Sequence, residues 1–209
     1  MNGNTSAKNI VIPNNIIAID NFAFSGCTGL TSITIGNHVT SIGDWAFVGC
    51  HSLTEVIISD SVTSIGSYAF YECDRLMSVI ISNSITHIDK FVFGGCSSLT
   101  SVTIPNGVIS IGNLAFGGCT GLTSIMIPDS VTSIGYKTFS GCHSLTSVII
   151  PNSMTSISDC AFSDCVRLTS ITYKGTIAEW DNIYKGNGWN DYVPKTCMIN
   201  CTDGDISEN

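Results

Sequence analysis

Apolar residues return along this chain at a fixed spacing of 23. Cys27, Cys50, Cys73, Cys96, Cys119, Cys142 and Cys165 form one column, and Phe24, Phe47, Phe70, Phe93, Phe116, Phe139 and Phe162 another. The interval also holds from Leu30 to Leu168, from Ile19 to Ile157, along a Val/Ile column from Ile33 to Ile171, and along an Ile column from Ile35 that ends on Tyr173. A 23-residue unit is too short to bury a core alone, but stacked copies do so by placing like side chains above one another. Within a unit, "LTSVTIP" at 99–105 alternates as a strand, with Leu99, Val102 and Ile104 inward and Thr100 and Thr103 outward. A column restricted to Asn or Asp (Asn14, Asn37, Asp60, Asn83, Asn106, Asp129, Asn152) is expected to cap the turn that follows. "VTSIG" predicts a second short extended piece, and "xxAFxGC" a single helical turn that closes the coil.

These elements predict a β-rich leucine-rich-repeat solenoid: a parallel β-sheet of stacked 23-residue coils with short helical turns. Residues 1–9 form a polar N-terminal arm, 10–173 the solenoid of about seven repeats, and 174–209 a C-terminal cap and tail. In the cap, "TIAEW" offers Thr176 as N-cap and Glu179 three positions on, a capping box. Ile177, Trp180 and Tyr184 fall on one helical face, Gly186 is the expected stop, and a closing strand is expected around Cys197–Ile199. The N-terminal end carries no comparable segment, which makes the first coil a candidate surface for self-association.

The unit "IPxSVTSIGxxAFxGCxxLTSV" resembles the leucine-rich repeat of the BspA-like family over residues 10–173, and the "YxGTxxxW…CTDG" pattern of the C-terminal segment is similar to the ends of such proteins. The chain departs from the unit at Gly36, Ser59 and Ser82, where Pro is usual, and at Glu72 and Asp164, where Gly is usual. The resemblance implies a curved or twisted solenoid. It also implies a bacterial, sometimes protist, surface or secreted protein that binds host or matrix proteins.

Composition narrows the function. Charged residues are only 11% of the chain, with sixteen Asp or Glu against eight Lys or Arg. That balance argues against nucleic acid, which needs clustered cations, and against anionic lipid. No apolar run reaches the ~18 residues of a spanning helix, so no membrane insertion is expected. The opening "MNGNTSAKNIVIPNN" lacks the apolar core of a secretory signal, so, taken alone, it points to the cell interior.

The cysteine column is expected to be a reduced packing ladder. Adjacent coils hold Cβ atoms about 4.8 Å apart in parallel, whereas a disulfide wants about 3.8 Å and converging bonds, and zinc needs four ligands about one point. Buried thiols in this number fit a reducing or anaerobic setting. Cys160, Cys197 and Cys201 lie off the ladder. The last two, in "CMINC", either pair, bind metal, or are strand residues. The third reading is preferred, because no further His or Cys pair lies near. His38, His51, His87 and His143 gather at no common point, and no nucleophile–base, phosphate-loop or metal motif is present. The chain is therefore expected to be no enzyme and to need no cofactor.

Two columns are candidates for binding a protein partner. One is the outward strand column, apolar at Ile57, Ile80, Met126 and Ile149. The other precedes the Ala of each coil and is aromatic at Phe22, Trp45, Tyr68 and Phe91. It forms either an exposed ridge or a lid folded against Phe47 and Phe70. Three functions are in competition: a protein-binding adhesion module, a structural spacer that assembles end to end through the first coil, and an ice-binding solenoid. The last is disfavoured by Ile and Met interrupting the outward Thr column.

Overall fold

A computed structural model describes residues 8–207. Of the polar arm expected at 1–9, Lys8 and Asn9 alone lie within the described residues, and Asn9 already opens the first strand. Seven coils follow, numbered here by their ladder cysteines. Strands Ser32–Thr34, Glu55–Ile57, Ser78–Ile80 and Ser101–Thr103 pair in parallel at an offset of 23, for example Ile33 with Val56 and Val79 with Val102. The "VTSIG" pieces form a second ladder, as in the pairing of Ile42 with Ile65. The strand ladder is interrupted between Thr103 and Ser124, and the second ladder between Ile65 and His87, which leaves four sheets. Leu99 and Ile104 are buried, Val102 is half-buried, and Thr100 and Thr103 are exposed. The alternation is therefore as the sequence predicts.

The core is a set of stacked columns. From Phe47 to Phe162 the phenylalanines of the ladder have no accessible surface. From Phe24 onward their rings lie face to face at 5.1–5.6 Å, with planes within 16°.

The third side of each coil differs from expectation. "xxAFxGC" forms consecutive turns rather than a helical turn; the helix among the described residues is Ile177–Asp181. The hydrogen bonds give the reason. In the first coil, the N–H groups of Ala23, Ser25 and Cys27 donate to carbonyls within the same turn. Those of Phe22, Phe24 and Gly26 donate across to Asp44, Ala46 and Val48 of the next coil, at 2.7–3.0 Å. A helix turns its N–H groups along its own axis, which would leave none directed at the next coil.

Side chains complete the lacing. Asn21 Oδ1 accepts from the Asp44 N–H at 2.7 Å, and Asp44 Oδ1 from the Ser67 N–H at 2.8 Å. The approach is so close that a Cβ at Gly66 would collide with Asp44 Oδ1, whereas the same column holds Asp89 and Ser158 in coils where Ser67 and Tyr136 stand in place of Asp44. In the Asn/Asp column after the strand, Asp60 bridges to the next coil instead of capping its own turn, accepting from the Asn83 N–H at 2.8 Å. Threonine hydroxyls donate to carbonyls one coil back, as from Thr63 to Thr40 and from Thr146 to Thr123.

At the C-terminal end the solenoid does not stop at Tyr173. Tyr184–Lys185 pairs with Ser156–Ile157, and Met198–Asn200 with Ser170–Thr172, both at an offset of 28. This is an eighth coil with five extra residues (28 − 23), taken up by the helical detour. The capping box of Thr176 and Glu179 is present. The helix ends at Asp181 with Asn182 as its cap, so Gly186 is not the stop, and Tyr184 leaves the helical face for a strand in which it is exposed. Trp189 meets Phe162 edge to face at 6.2 Å and closes the phenylalanine stack, with Trp180 behind it at 6.0 Å. A final strand, Gly204–Ser207, folds back antiparallel and covers the edge of Met198–Cys201.

Phe93→Ala and Phe116→Ala are each expected to cost about 3–5 kcal/mol in urea denaturation, the scale of a buried Phe truncation, against less than about 1 kcal/mol for Thr103→Ala. Equal losses at Phe93 and Thr103 would contradict the register.

Candidate protein-binding surface

Two residues in every coil have left-handed backbone. One is the residue before the ladder cysteine, filled by glycine in five of seven coils and by Glu72 and Asp164 in the others. The second is the residue before the Ala position: Phe22, Trp45, Tyr68, Phe91, Leu114, Lys137 and Cys160, with φ between 53° and 61°. Side chains cost roughly 1–2 kcal/mol in this conformation, which glycine avoids. No glycine occurs in this second column over the seven coils, and the first four members are large aromatics.

The left-handed backbone turns these side chains outward over their own coil. Phe91 lies against Gly94, where a Cβ would sit 3.1 Å from the Tyr71 ring and 3.3 Å from that of Phe91. The rings then stack on one another along the solenoid axis. Phe22 and Trp45 are 6.2 Å apart, Trp45 and Tyr68 3.8 Å, and Tyr68 and Phe91 4.4 Å, all within 11° of parallel. Tyr71 stands at 77–82° to Trp45, Tyr68 and Phe91 and braces all three. Burial, followed by the neighbouring Glu72 carboxylate, holds the Tyr71 hydroxyl above its usual pKa. Phe22 is 58% exposed, and Trp45, Tyr68 and Phe91 are half-buried. The column is thus a self-stacked ridge, neither free-standing nor folded down onto Phe47 and Phe70. The periodicity of the sequence located these four residues. It did not reveal Tyr71, which belongs to no aromatic column.

The outward strand column places Ile57 beside Ile80 and Met126 beside Ile149. Ile57, Ile80 and Met126 are at least half exposed, and Ile149 is half-buried. The interrupted strand ladder separates the two pairs.

The seven ladder cysteines are buried free thiols. From Cys50 to Cys165, each Sγ donates to the carbonyl of the Phe one coil back, as from Cys50 to Phe24 and from Cys96 to Phe70, at 3.2–3.3 Å. Burial pushes the Cys50 and Cys165 thiols up to about 12, and holds those of Cys73, Cys96, Cys119 and Cys142 well above the usual 9.0. A thiol so disfavoured as thiolate is neither nucleophile nor metal ligand. Cys197 is buried at the entry to the closing strand and Cys201 half-buried at its end. Among the described residues, no group of three or more His, Cys, Asp or Glu is placed to hold a metal ion. A cleft beside Trp189, Tyr192 and Ile199 has a volume of about 180 Å³, and an open hollow lined by Ile19, Asp20, Asn21 and Gly43 one of about 370 Å³. No helix of the described residues is long and apolar enough to cross a membrane.

The model of the BspA type leucine-rich repeat region matches residues 2–122 and 86–184, in six copies. Among solved structures, a leucine-rich repeat protein of T. pallidum is 29% identical with a TM-score of 0.73, covering 78% of each chain. One from Bacteroides ovatus is 30% identical with a TM-score of 0.66 over 85% of this chain. The present chain spans about half of that protein (51%). The pneumococcal vaccine antigen PcpA, at 18% identity and a TM-score of 0.53, covers 93% of this chain and 62% of its own, and shares the fold. No curated protein matches.

Two measurements test the thiol ladder and the strained column. Between pH 9 and 12 an unfolded chain has released thiol protons that the folded ladder retains. Stability is therefore full below pH 9 and falls by about 1.4 kcal/mol per pH unit for each buried thiol above it. Cys96→Ala is expected to flatten the slope of stability against pH, and a flat profile in the parent protein would contradict the ladder. For the strained column, Lys137→Gly is expected to be neutral within about 0.5 kcal/mol, because relief of strain offsets the greater freedom of the unfolded chain. Tyr68→Gly is expected to lose about 1–3 kcal/mol, since it removes two stacking partners. Equal effects in thermal melts would show that stacking does not hold the ridge.

Proposed function

Because the chain belongs to the BspA-type leucine-rich repeat family, we propose that it is a non-catalytic protein-binding module, displayed at a bacterial surface or secreted, that holds a host or matrix protein against its aromatic ridge. One observation carries this reading: four successive coils keep a large aromatic at a backbone position where glycine costs less, and stack these rings half-exposed. Large rings kept outside the core and left half-exposed point to use at the surface. Ile57 and Ile80, on the strand face of coils two and three, are a second, smaller apolar surface. Surface display rests on the family resemblance.

A second reading, self-association, has its own observation. In the first coil Ile16 is 37% exposed, while Val39 and Val62 of the same column are fully buried, and Ile17 beside it is 69% exposed. Sedimentation across a concentration series separates the two: a species that stays monomeric supports the adhesion reading.

The test of the first reading is a panel of immobilised extracellular-matrix and host-surface proteins probed with the parent and with a Trp45→Ala, Tyr68→Ala double variant. Binding by the parent and loss of at least about tenfold in the variant, at preserved β-sheet signal, is expected for paired hot-spot aromatics. Equal binding by both would remove the ridge from the function.

A further inference from the structure

We propose that the ridge is built to receive a basic segment of its protein partner, with an arginine or lysine side chain seated over Phe22 and Trp45 beside Asp44. The proposal rests on the ridge being the binding surface and adds the chemistry of what binds there.

The chain supplies its own precedent. Lys90 places Nζ 6.0 Å from the Tyr68 ring centroid. Lys90 immediately precedes the left-handed residue of coil four, so a cation from one coil reaches the ring of the coil before it. The equivalent residues in coils two and three are Asp44 and Ser67. Phe22 and Trp45 therefore lack at this register the ammonium that Tyr68 has. Trp, the strongest cation acceptor among aromatic side chains, lies on the part of the ridge where this register supplies no cation.

The charges around the stack agree. Asp20, Asp44, Glu72 and Asp89 each lie within two residues of a ring of the stack, and all four are exposed; Lys90 is the one base as close. Among the described residues the ion pairs are His51–Asp74 and Lys174–Asp129, so none of these four carboxylates is neutralised by one. Asp44 is placed for the task. Its carbonyl accepts the Phe22 N–H at 3.0 Å, and its Oδ1 accepts the Ser67 N–H of coil three at 2.8 Å, which fixes the exposed carboxylate next to Trp45 in the chain. Phe22, 58% exposed, is the most exposed ring of the stack and lies parallel to Trp45. Exposed aromatic surface among unpaired carboxylates is complementary to a guanidinium, which stacks and pairs at once. A net charge of −8 steers basic partners toward the protein from a distance.

The test uses three soluble peptides of equal length, four repeats of Arg-Gly-Ser, Lys-Gly-Ser or Glu-Gly-Ser, titrated into the isotope-labelled full chain while the Trp45 indole N–H resonance is followed. The arginine peptide is expected to shift that resonance, with the lysine peptide weaker and the glutamate peptide silent. Asp44→Asn keeps the acceptor for Ser67, as Asn21 does for Asp44, and should weaken arginine-peptide binding about three- to fivefold. Lys90→Ala should strengthen it, and raising the salt should weaken it. Lack of response at Trp45, or an equal response to the glutamate peptide, overturns the proposal. So does arginine-peptide binding indifferent to Asp44→Asn and to salt. If a matrix protein binds in a Trp45-dependent manner while the arginine peptide neither shifts Trp45 nor competes, the basic-partner assignment fails and the ridge stands as a binding surface. If the arginine peptide binds at Trp45 but every protein partner ignores the Trp45→Ala, Tyr68→Ala variant, the adhesion reading fails instead.

Discussion

Everything in this molecule follows from how the non-strand side of each coil shares its backbone hydrogen bonds. Alternate N–H groups stay within the turn and alternate ones cross to the next coil. That pattern holds coils together where there is no strand, and it forces two left-handed residues into each repeat. It also exposes the Phe carbonyl from one side, and the thiol of the following coil completes it. A small side chain with one weak donor is what that position requires, which explains a cysteine that neither bonds to another nor holds metal. The aromatic ridge has the same origin, because the left-handed residue before Ala is the one whose side chain the alternation turns away from the core.

The cohesion of the stack therefore owes little to ion pairs. Threonine hydroxyls, Asn and Asp side chains, thiols and backbone groups lace each coil to its neighbour. Lysine and glutamate can be scarce because the surface columns are already occupied by residues with a bonding partner one coil away. Near the ridge the few charges that remain are mostly of one sign.

Much of this was legible from the sequence, for a definite reason. A period of 23 repeated seven times turns every core decision into a column, so Phe93 or Leu99 is read with six independent copies. Reading failed where a rule acts across coils or changes period. The helical turn expected at "xxAFxGC" was a local inference, and the bonds that forbid it run to the next coil. The eighth coil is invisible in the sequence because its offset is 28, so the pattern puts Tyr184 on the helical face and Gly186 at the stop, whereas the helix ends at Asp181. At the candidate site, Phe22, Trp45, Tyr68 and Phe91 stood out as a column. Their orientation did not, since a positive φ on an aromatic has no signature in composition. Tyr71 was missed because it is a single substitution within a column that continues as Gly94 and Gly117.

The direction of the lacing has a mechanical meaning. Strands run across the solenoid, so the bonds between coils lie along its axis, and a pull on the two ends loads the coils in series. Each interface opens from one edge, and few bonds resist at any instant. A released coil of 23 residues adds roughly 70–80 Å of extended chain. A tether of this design yields in steps under shear, lengthening one coil at a time while the coils not yet reached keep their shape.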